Sequence, residues 1–345
     1  LDYSIGVLTA LMNTDPSFNE LTTEDRIYQG DYKKWIKFAN SLKLRIAIRI
    51  SNAVPEYAQE KAEEAVSHPY GVMDSNDCDA YDNITATNYK NGLASVNSWG
   101  EVRANACIVS FMNGYQDPRC EAYFTKSSVS GDYDYIGVRS GIQGITTSMF
   151  STYSTVKVET KTPMLIFNAA EVAFLRAEGA LKKWNMGGTA EEFYKEGIRL
   201  SFNEHGISGA DAYIANNTNV PADYICPLNA AYNYTNPCKL TVAWDKTGAN
   251  ADEDNLQRIL TQKMIANFPI GNETWADFRR TGYPAVFPAH DNLSTQGVTK
   301  ERQQRRLRFS EDEYNSNGAN VTEACTFLSN GQDTDATDLW WAKKD

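Results

Sequence analysis

Between Trp35 and Ser51 the sequence WIKFANSLKLRIAIRIS carries two hydrophobic periods at once. Leu42, Leu44, Ile46, Ile48 and Ile50 alternate with Lys43, Arg45 and Arg49, the period of a half-buried strand. Trp35, Phe38, Ala39, Leu42, Ile46 and Ile50 also recur at spacings of three and four, which is one stripe of a helix. Periodicity alone leaves both readings open.

Elsewhere the pattern is mostly helical. LDYSIGVLTALMN reads as the end of an amphipathic helix with Leu1, Ile5, Leu8 and Met12 on one face. A chain opening in mid-helix implies a preceding N-terminal part that packs against Leu1–Met12. In PEYAQEKAEEAVSHP, Pro55 suits a first helical turn, and Ala58, Ala62, Ala65 and Val66 form the stripe before Pro69 and Gly71 end it. A helix over 101–113 precedes DPRCEAYF. Residues 164–204 read as a helical hairpin. Its first helix buries Ala170, Phe174, Ala177, Leu181 and Trp184, and NMGG makes the turn. Thr189 then caps the second helix, with Glu192 as its capping-box partner. Ala190, Tyr194 and Gly197 match the small–aromatic–small spacing of a tetratricopeptide repeat, as does many an antiparallel helix pair. NLQRILTQKMIANF puts Leu256, Ile259, Leu260, Met264 and Phe268 in helical register, and ETWADFRRTGYP is helical until Gly282 and Pro284.

The remainder is polar and rich in turn-formers. The pattern therefore predicts one mainly α domain, with a helical scaffold over 1–70, 101–113, 164–204 and 254–281. Long loops occupy 75–100, 124–162, 205–253 and 282–345, with short strands in 124–162 and a strand-like RRLRFS in the tail before EYNSNGANVTEA and LWWAKKD.

Charge and composition narrow the function. With 33 basic and 44 acidic residues the net charge is −11, which argues against a polyanion such as DNA or RNA. The one basic run, KERQQRRLR from Lys300 to Arg308, reads as a solvated edge. No apolar run approaches the length of a membrane-spanning helix, and the first residues are not a basic segment followed by an apolar one. Six cysteines form no CxxC pair. Cys226 and Cys238 bracket a turn-rich loop, where a disulfide and two buried thiols fit equally. HExxH, GxSxG, GxxxxGK[ST] and strand-borne GxGxxG are absent. His68, His205 and His290 lie beside turn residues, as solvated histidines do, and Glu63–Glu64 and Glu191–Glu192 sit on exposed helix turns. A binding protein, with no metal and no cofactor, is the expectation.

Several segments together resemble one family. WIKFANSLKLRIAIRIS is similar to the SLKLR-type helix of the SusD/RagB outer-membrane lipoproteins of Bacteroidetes. NGYQDPRCEAYF resembles their DPR segment, and AAEVAFLRAEGALKKW their "E-x-x-F-L-x-A-E-A" helix. ILTQKMIANFPIGNETWADFRRTGYP, RRLRFSEDEYNSNGANV and LWWAKKD resemble the closing blocks, and the order is kept along nearly the whole chain. The resemblance implies a tetratricopeptide-like scaffold in which Trp35–Ser51 is a helix with Trp35, Phe38, Leu42 and Ile46 facing the core. It implies a cell-surface glycan-binding protein, not an enzyme, lipid-anchored in the outer membrane through a missing N-terminal segment. Its partner would be a SusC-like TonB-dependent transporter that it covers as a lid. The chain departs from the family in lacking the lipidated N-terminal cysteine and first repeat region, and in carrying several other cysteines.

Sugar rings stack on flat apolar faces, and tyrosine and tryptophan supply 19 and 7 such faces. Rings in polar, turn-rich stretches are the candidates: Trp99, Tyr81, Tyr89, Tyr232 and Tyr234, with Asp82, Asn83 and Asn233 to hold hydroxyls. Two other readings remain open: a helical-repeat scaffold for a protein partner, and a surface glycosidase with two carboxylates across a cleft.

Overall fold

The computed structural model describes residues 1–342; the last three residues of LWWAKKD lie outside it. The chain forms α1 (Asp2–Thr14), α2 (Tyr32–Ile50) and α3 (Pro55–Ser67), then strand β1 (Ala80–Asp82), α4 (Gly92–Ser98), α5 (Ala106–Tyr115) and α6 (Cys120–Tyr123). Strand β2 (Met164–Phe167) leads into α7 (Ala169–Leu181) and α8 (Ala190–Glu204), followed by α9 (Ala210–Ile214), α10 (Ala251–Ala266), α11 (Gly271–Thr281) and α12 (Glu311–Cys325). The scaffold is the antiparallel pairs α2–α3 and α7–α8, with α10 laid across α7 and α8 and α11 folded back on α10. β1 and β2 form one short antiparallel ladder beside it.

The helical period wins at Trp35–Ser51. Asp31 caps α2 by accepting from the Lys33 and Lys34 amides. The helix packs on α1, α3, α7 and α11, so it is enclosed on several sides and its apolar residues outnumber one stripe. The buried face differs from the expected one. Ile36, Ala39, Asn40, Leu44, Ala47 and Ile48 are buried, Leu42 is half-buried, and Ile46 is 45% exposed. The face is rotated because Lys43 and Arg45 are themselves largely withdrawn from solvent, each paired with a carboxylate. Lys43 pairs with Asp2 and Glu64, Arg45 with Glu171, and Arg49 with Glu273. Leu42→Ala is therefore expected to cost about 1 kcal/mol, below the ~2–5 kcal/mol of a fully buried leucine. The denaturant midpoint checks this, and a loss beyond about 3 kcal/mol would place Leu42 in the core after all.

On α1, Ile5 and Met12 pack against Ile36 and Ala39, while Leu1, Tyr3 and Val7 are exposed. In the α7–α8 hairpin the Thr189–Glu192 capping box forms as expected. Tyr194 is fully buried and donates to the Val242 carbonyl at 2.7 Å. At Gly197 a Cβ would stand 2.7 Å from the Phe174 ring, so only glycine admits this close approach.

Two buried polar networks tie the helices together. In the first, Arg45 clasps Glu171 with bonds of 2.9 and 2.7 Å, and Lys263 lies 3.4 Å from Glu171 and 2.9 Å from Asp277. Arg280 then joins Asp277 (3.2 Å) to Glu178 (2.5 and 2.9 Å). In the second, Arg119 is wholly buried and donates to both oxygens of Asp117, to Gln262 and to Ser201. Gln262 and Lys263 are neighbours on α10, so the two networks meet there.

The loop regions are less plain than expected. α4 lies within 75–100, α9 within 205–253, and α12 within 282–345; α5 begins at Ala106 rather than Glu101. Among the described residues, 124–162 contains isolated bridges such as Phe124–Val156 rather than regular strands. RRLRFS is irregular, because Arg305 and Arg306 are both drawn inward instead of alternating. The basic run is not a solvated edge. Arg302 and Arg305 pair with Asp338, Arg306 with Asp333, and Arg308 with Asp335, so the run clasps the acidic stretch that follows α12. Cys226 and Cys238 are buried free thiols, and Cys226 lies 3.5 Å from the Tyr153 hydroxyl.

Candidate functional site

A cleft of about 870 Å3 opens where the 26–29 loop, the β1–β2 ladder, α4, the end of α8 and the α10–α11 connection meet. Each polar group in it is placed by a neighbouring element. Tyr81, on β1, donates its hydroxyl to Glu204 at the last turn of α8. The other Glu204 oxygen accepts from the Asn168 amide at 3.1 Å. Asp79 accepts from the Ala169 amide at 2.6 Å, at the start of α7, and from Asn76 at 3.0 Å. Burial, reinforced for Glu204 by the Asp79 charge, pushes Asp79 up to about 6 and Glu204 up to about 8. Burial also pushes His205 down to about 4, and its Nε2 is shielded from solvent without a partner. Near neutral pH Glu204 and His205 are thus uncharged and Asp79 is largely ionised, so the floor is polar with one carboxylate charge. His205 is no solvated turn residue, and neither is His290, which binds Asp291 (2.8 Å) and the Ala231 carbonyl (3.1 Å).

At the mouth, Arg26 binds Asp82 through two bonds of 2.6 and 2.7 Å, and its guanidinium lies 5.3 Å from the Tyr89 ring centre. Asn83 donates its backbone amide to the Arg26 carbonyl, and its side chain holds Thr85. Lys161 reaches the Thr87 and Tyr89 carbonyls and so fixes the segment that carries Tyr89. Tyr89 is 63% exposed. Leu93, Val156, Met164 and Leu165 supply apolar walls.

The model of the SusD-like family, described as SusD and RagB outer membrane lipoprotein, matches residues 1–342. The chain belongs to the SusD-like family. A SusD-like protein from Bacteroides thetaiotaomicron is 48% identical with a TM-score of 0.93, over 100% of this chain and 71% of that one. A chitin-binding SusD homologue from Flavobacterium johnsoniae is 39% identical with a TM-score of 0.93, over 100% and 70%. A SusD homologue from Bacteroides uniformis is 42% identical with a TM-score of 0.89, over 99% and 71%. No curated protein matches the chain. The family is one of outer-membrane lipoproteins, and among the described residues no helix of this SusD-like chain is long and apolar enough to cross a membrane.

Of the eight residues singled out in the sequence, four cluster at this cleft. Tyr81 and Asn83 line it, and Asp82 and Tyr89 are joined to it through Arg26. Trp99, 67% exposed at the C-terminal cap of α4, does not line it. Tyr232 and Tyr234 lie elsewhere and are half-buried. Tyr232 meets His290 edge-on at 5.1 Å, and Tyr234 packs on Phe287 at 4.6 Å under the Arg139 guanidinium. Arg26, Asp79, Glu204 and His205 were missed. They come from three separate segments, and no local spacing marks them. Only the aromatic rings between polar turns gave a signal.

Proposed function

We propose that this SusD-like chain captures a glycan in the 870 Å3 cleft and passes it to a SusC-like TonB-dependent transporter. It would do so at the outer face of the outer membrane, held by the family's N-terminal lipid anchor. The observation that carries the reading is the mouth of the cleft. An exposed tyrosine, steadied by Arg26, stands beside Asp82 and Asn83 above a polar floor. A pyranose needs this pairing, an apolar face for its C–H side and polar groups for its hydroxyls, since an unpaired desolvated hydroxyl costs about 1–3 kcal/mol. The chitin-binding relative supports glycans as the ligand class and makes chito-oligosaccharides the first probe.

Calorimetric titration of a glycan panel tests this. Tyr89→Ala is expected to weaken binding about tenfold, the equivalent of about 1.4 kcal/mol. Trp99→Ala, whose ring does not line the cleft, is expected to leave binding nearly unchanged, with a stability change within about 0.5 kcal/mol because the ring is exposed. Binding weakened at unchanged stability would extend the site to Trp99.

One observation favours catalysis instead. Asp79 and Glu204 are two carboxyls in one cleft with values held apart at about 6 and about 8, the pattern of an acid–base pair. Both, however, are spent on the fold through Ala169, Asn76, Tyr81 and Asn168. The purified chain is expected to release no reducing ends from a glycan it binds, and release abolished by Glu204→Gln would reverse the reading.

A further inference from the structure

Phe268, Pro269 and Ile270, which join α10 to α11, line the first cleft and also a second one of about 710 Å3. The second cleft has an apolar floor that includes Trp275, Phe278 and Phe287. Trp275 is held before any ligand arrives. Its indole N–H donates to the Gln304 carbonyl at 3.0 Å, and the Arg279 guanidinium lies 3.7 Å from the ring centre. A ring fixed in advance loses little freedom on binding.

Around this floor stand polar groups that the fold leaves unspent. Among the described residues the Thr274 hydroxyl and the Gln303 side-chain oxygen make no hydrogen bond, although the Gln303 amide donates to the Val286 carbonyl at 3.1 Å. The Asn105 amide gives one N–H to Ser140 at 2.8 Å and keeps the other. A purely apolar ligand would strip water from these groups without replacing it. Asp291, Asp335 and Lys300 are the charged groups on the lining, with Arg308 3.4 Å from Asp335 and Arg279 on the Trp275 ring, so no net charge selects an acidic sugar. Tyr232 and Tyr234 find their place here, since Tyr234 packs on Phe287 and Tyr232 meets His290, the partner of Asp291.

We propose that this second cleft is an independent subsite for a short neutral oligosaccharide, with the sugar's C–H face on Trp275 and its hydroxyls on Thr274, Gln303 and Asn105. The proposal rests on the glycan-binding reading above but uses a different cleft, and the experiment separates the two. Chitotetraose, cellotetraose and maltotetraose are titrated calorimetrically into the wild type, into Thr274→Trp, which intrudes on the second cleft beside Trp275, and into Gly92→Trp. Gly92 lines the first cleft with open space where its Cβ would stand. The expected result is two equivalents of one tetrasaccharide on the wild type and one on each variant. Gln303→Ala, the milder change, is expected to weaken one of the two sites at least fivefold, and it decides the matter if Thr274→Trp fails to fold. Unchanged stoichiometry and affinities in the second-cleft variants overturn the proposal and leave the first-cleft reading standing. Binding lost only with the second-cleft variants supports the proposal and overturns the first-cleft reading. Failure of all three sugars on the wild type overturns both.

Discussion

Arg280→Met is expected to destabilise the chain by about 3–5 kcal/mol, a large share of the stability of an ordinary domain. Arg280 is 1% exposed and bonds Glu178 through both terminal nitrogens and Asp277 through one. Its loss leaves the Glu178 carboxylate, itself 1% exposed on α7, with Lys182 at 3.9 Å as its remaining cation. Asp277 is better served, because Lys263 stays at 2.9 Å. The penalty is mostly the stranded Glu178 charge rather than the lost attraction, since a buried pair roughly offsets its own desolvation. Arg280→Met with Glu178→Leu is therefore expected to recover more than half of the loss. Denaturant unfolding of the two single mutants and the double mutant measures this coupling. A double mutant as unstable as the sum of the singles would mean that the arginine acts through packing alone.

The same network shows what the sequence pattern could and could not reveal. Helix positions followed from apolar spacing at α7, α8, α10 and α11, at α2 only the family resemblance chose between two periods, and the capping box at Thr189 was legible residue by residue. The inward face of α2 was not, because apolar periodicity counts Lys43 and Arg45 as solvent-facing. Their partners, Asp2, Glu64 and Glu171, come from α1, α3 and α7, and no local window contains them. The segments that resemble the family, SLKLR, DPR, TQK and RRTG, prove to supply the cations and amides of the two buried networks. Gly282, in the last of them, turns the chain out of α11 at φ +85°, a conformation that suits glycine. In this chain those family-like segments are thus segments that make buried polar contacts between helices.

The cleft was legible only at its rim. Ring type and a polar neighbourhood found Tyr81, Asp82, Asn83 and Tyr89, because exposed recognition residues sit on loops between turn-formers. The floor is assembled from Asp79, Glu204 and His205, two of them at the end of a helix whose spacing promised only packing. The acidic residues after α12 were likewise unreadable as partners of the basic run, since pairing across a helix leaves no periodic trace.

Glu204 carries the second large expectation, a loss of about 2 kcal/mol of stability between pH 6.5 and pH 8.5. Burial is the main cause of its raised value, followed by the nearby Asp79 charge; the bonds from Tyr81 and Asn168 and the charge of Arg119 only partly offset them. A carboxyl at 4.5 when unfolded and about 8 when folded binds its proton more tightly in the folded chain. Its contribution to stability is fully present below about 4.5 and is lost as pH rises through about 8, at up to ~1.4 kcal/mol per pH unit. The window is set by the other groups. His205, lowered to about 4 from 6.5, gives an opposite slope below 6.5, and Asp79, raised to about 6, has spent its effect by then. Carboxylates held low by cations, such as Asp82 beside Arg26, are ionised throughout. Above about 8.5 the buried thiols, raised by desolvation at Cys78, Cys107 and Cys238, begin to act in the same direction. Between the two limits Glu204 dominates. Wild-type stability from denaturant midpoints should fall across this window, and Glu204→Gln should be flat. A wild-type curve that is itself flat would mean that Glu204 is ionised at neutral pH, and the floor of the cleft would then carry a second carboxylate charge beside Asp79.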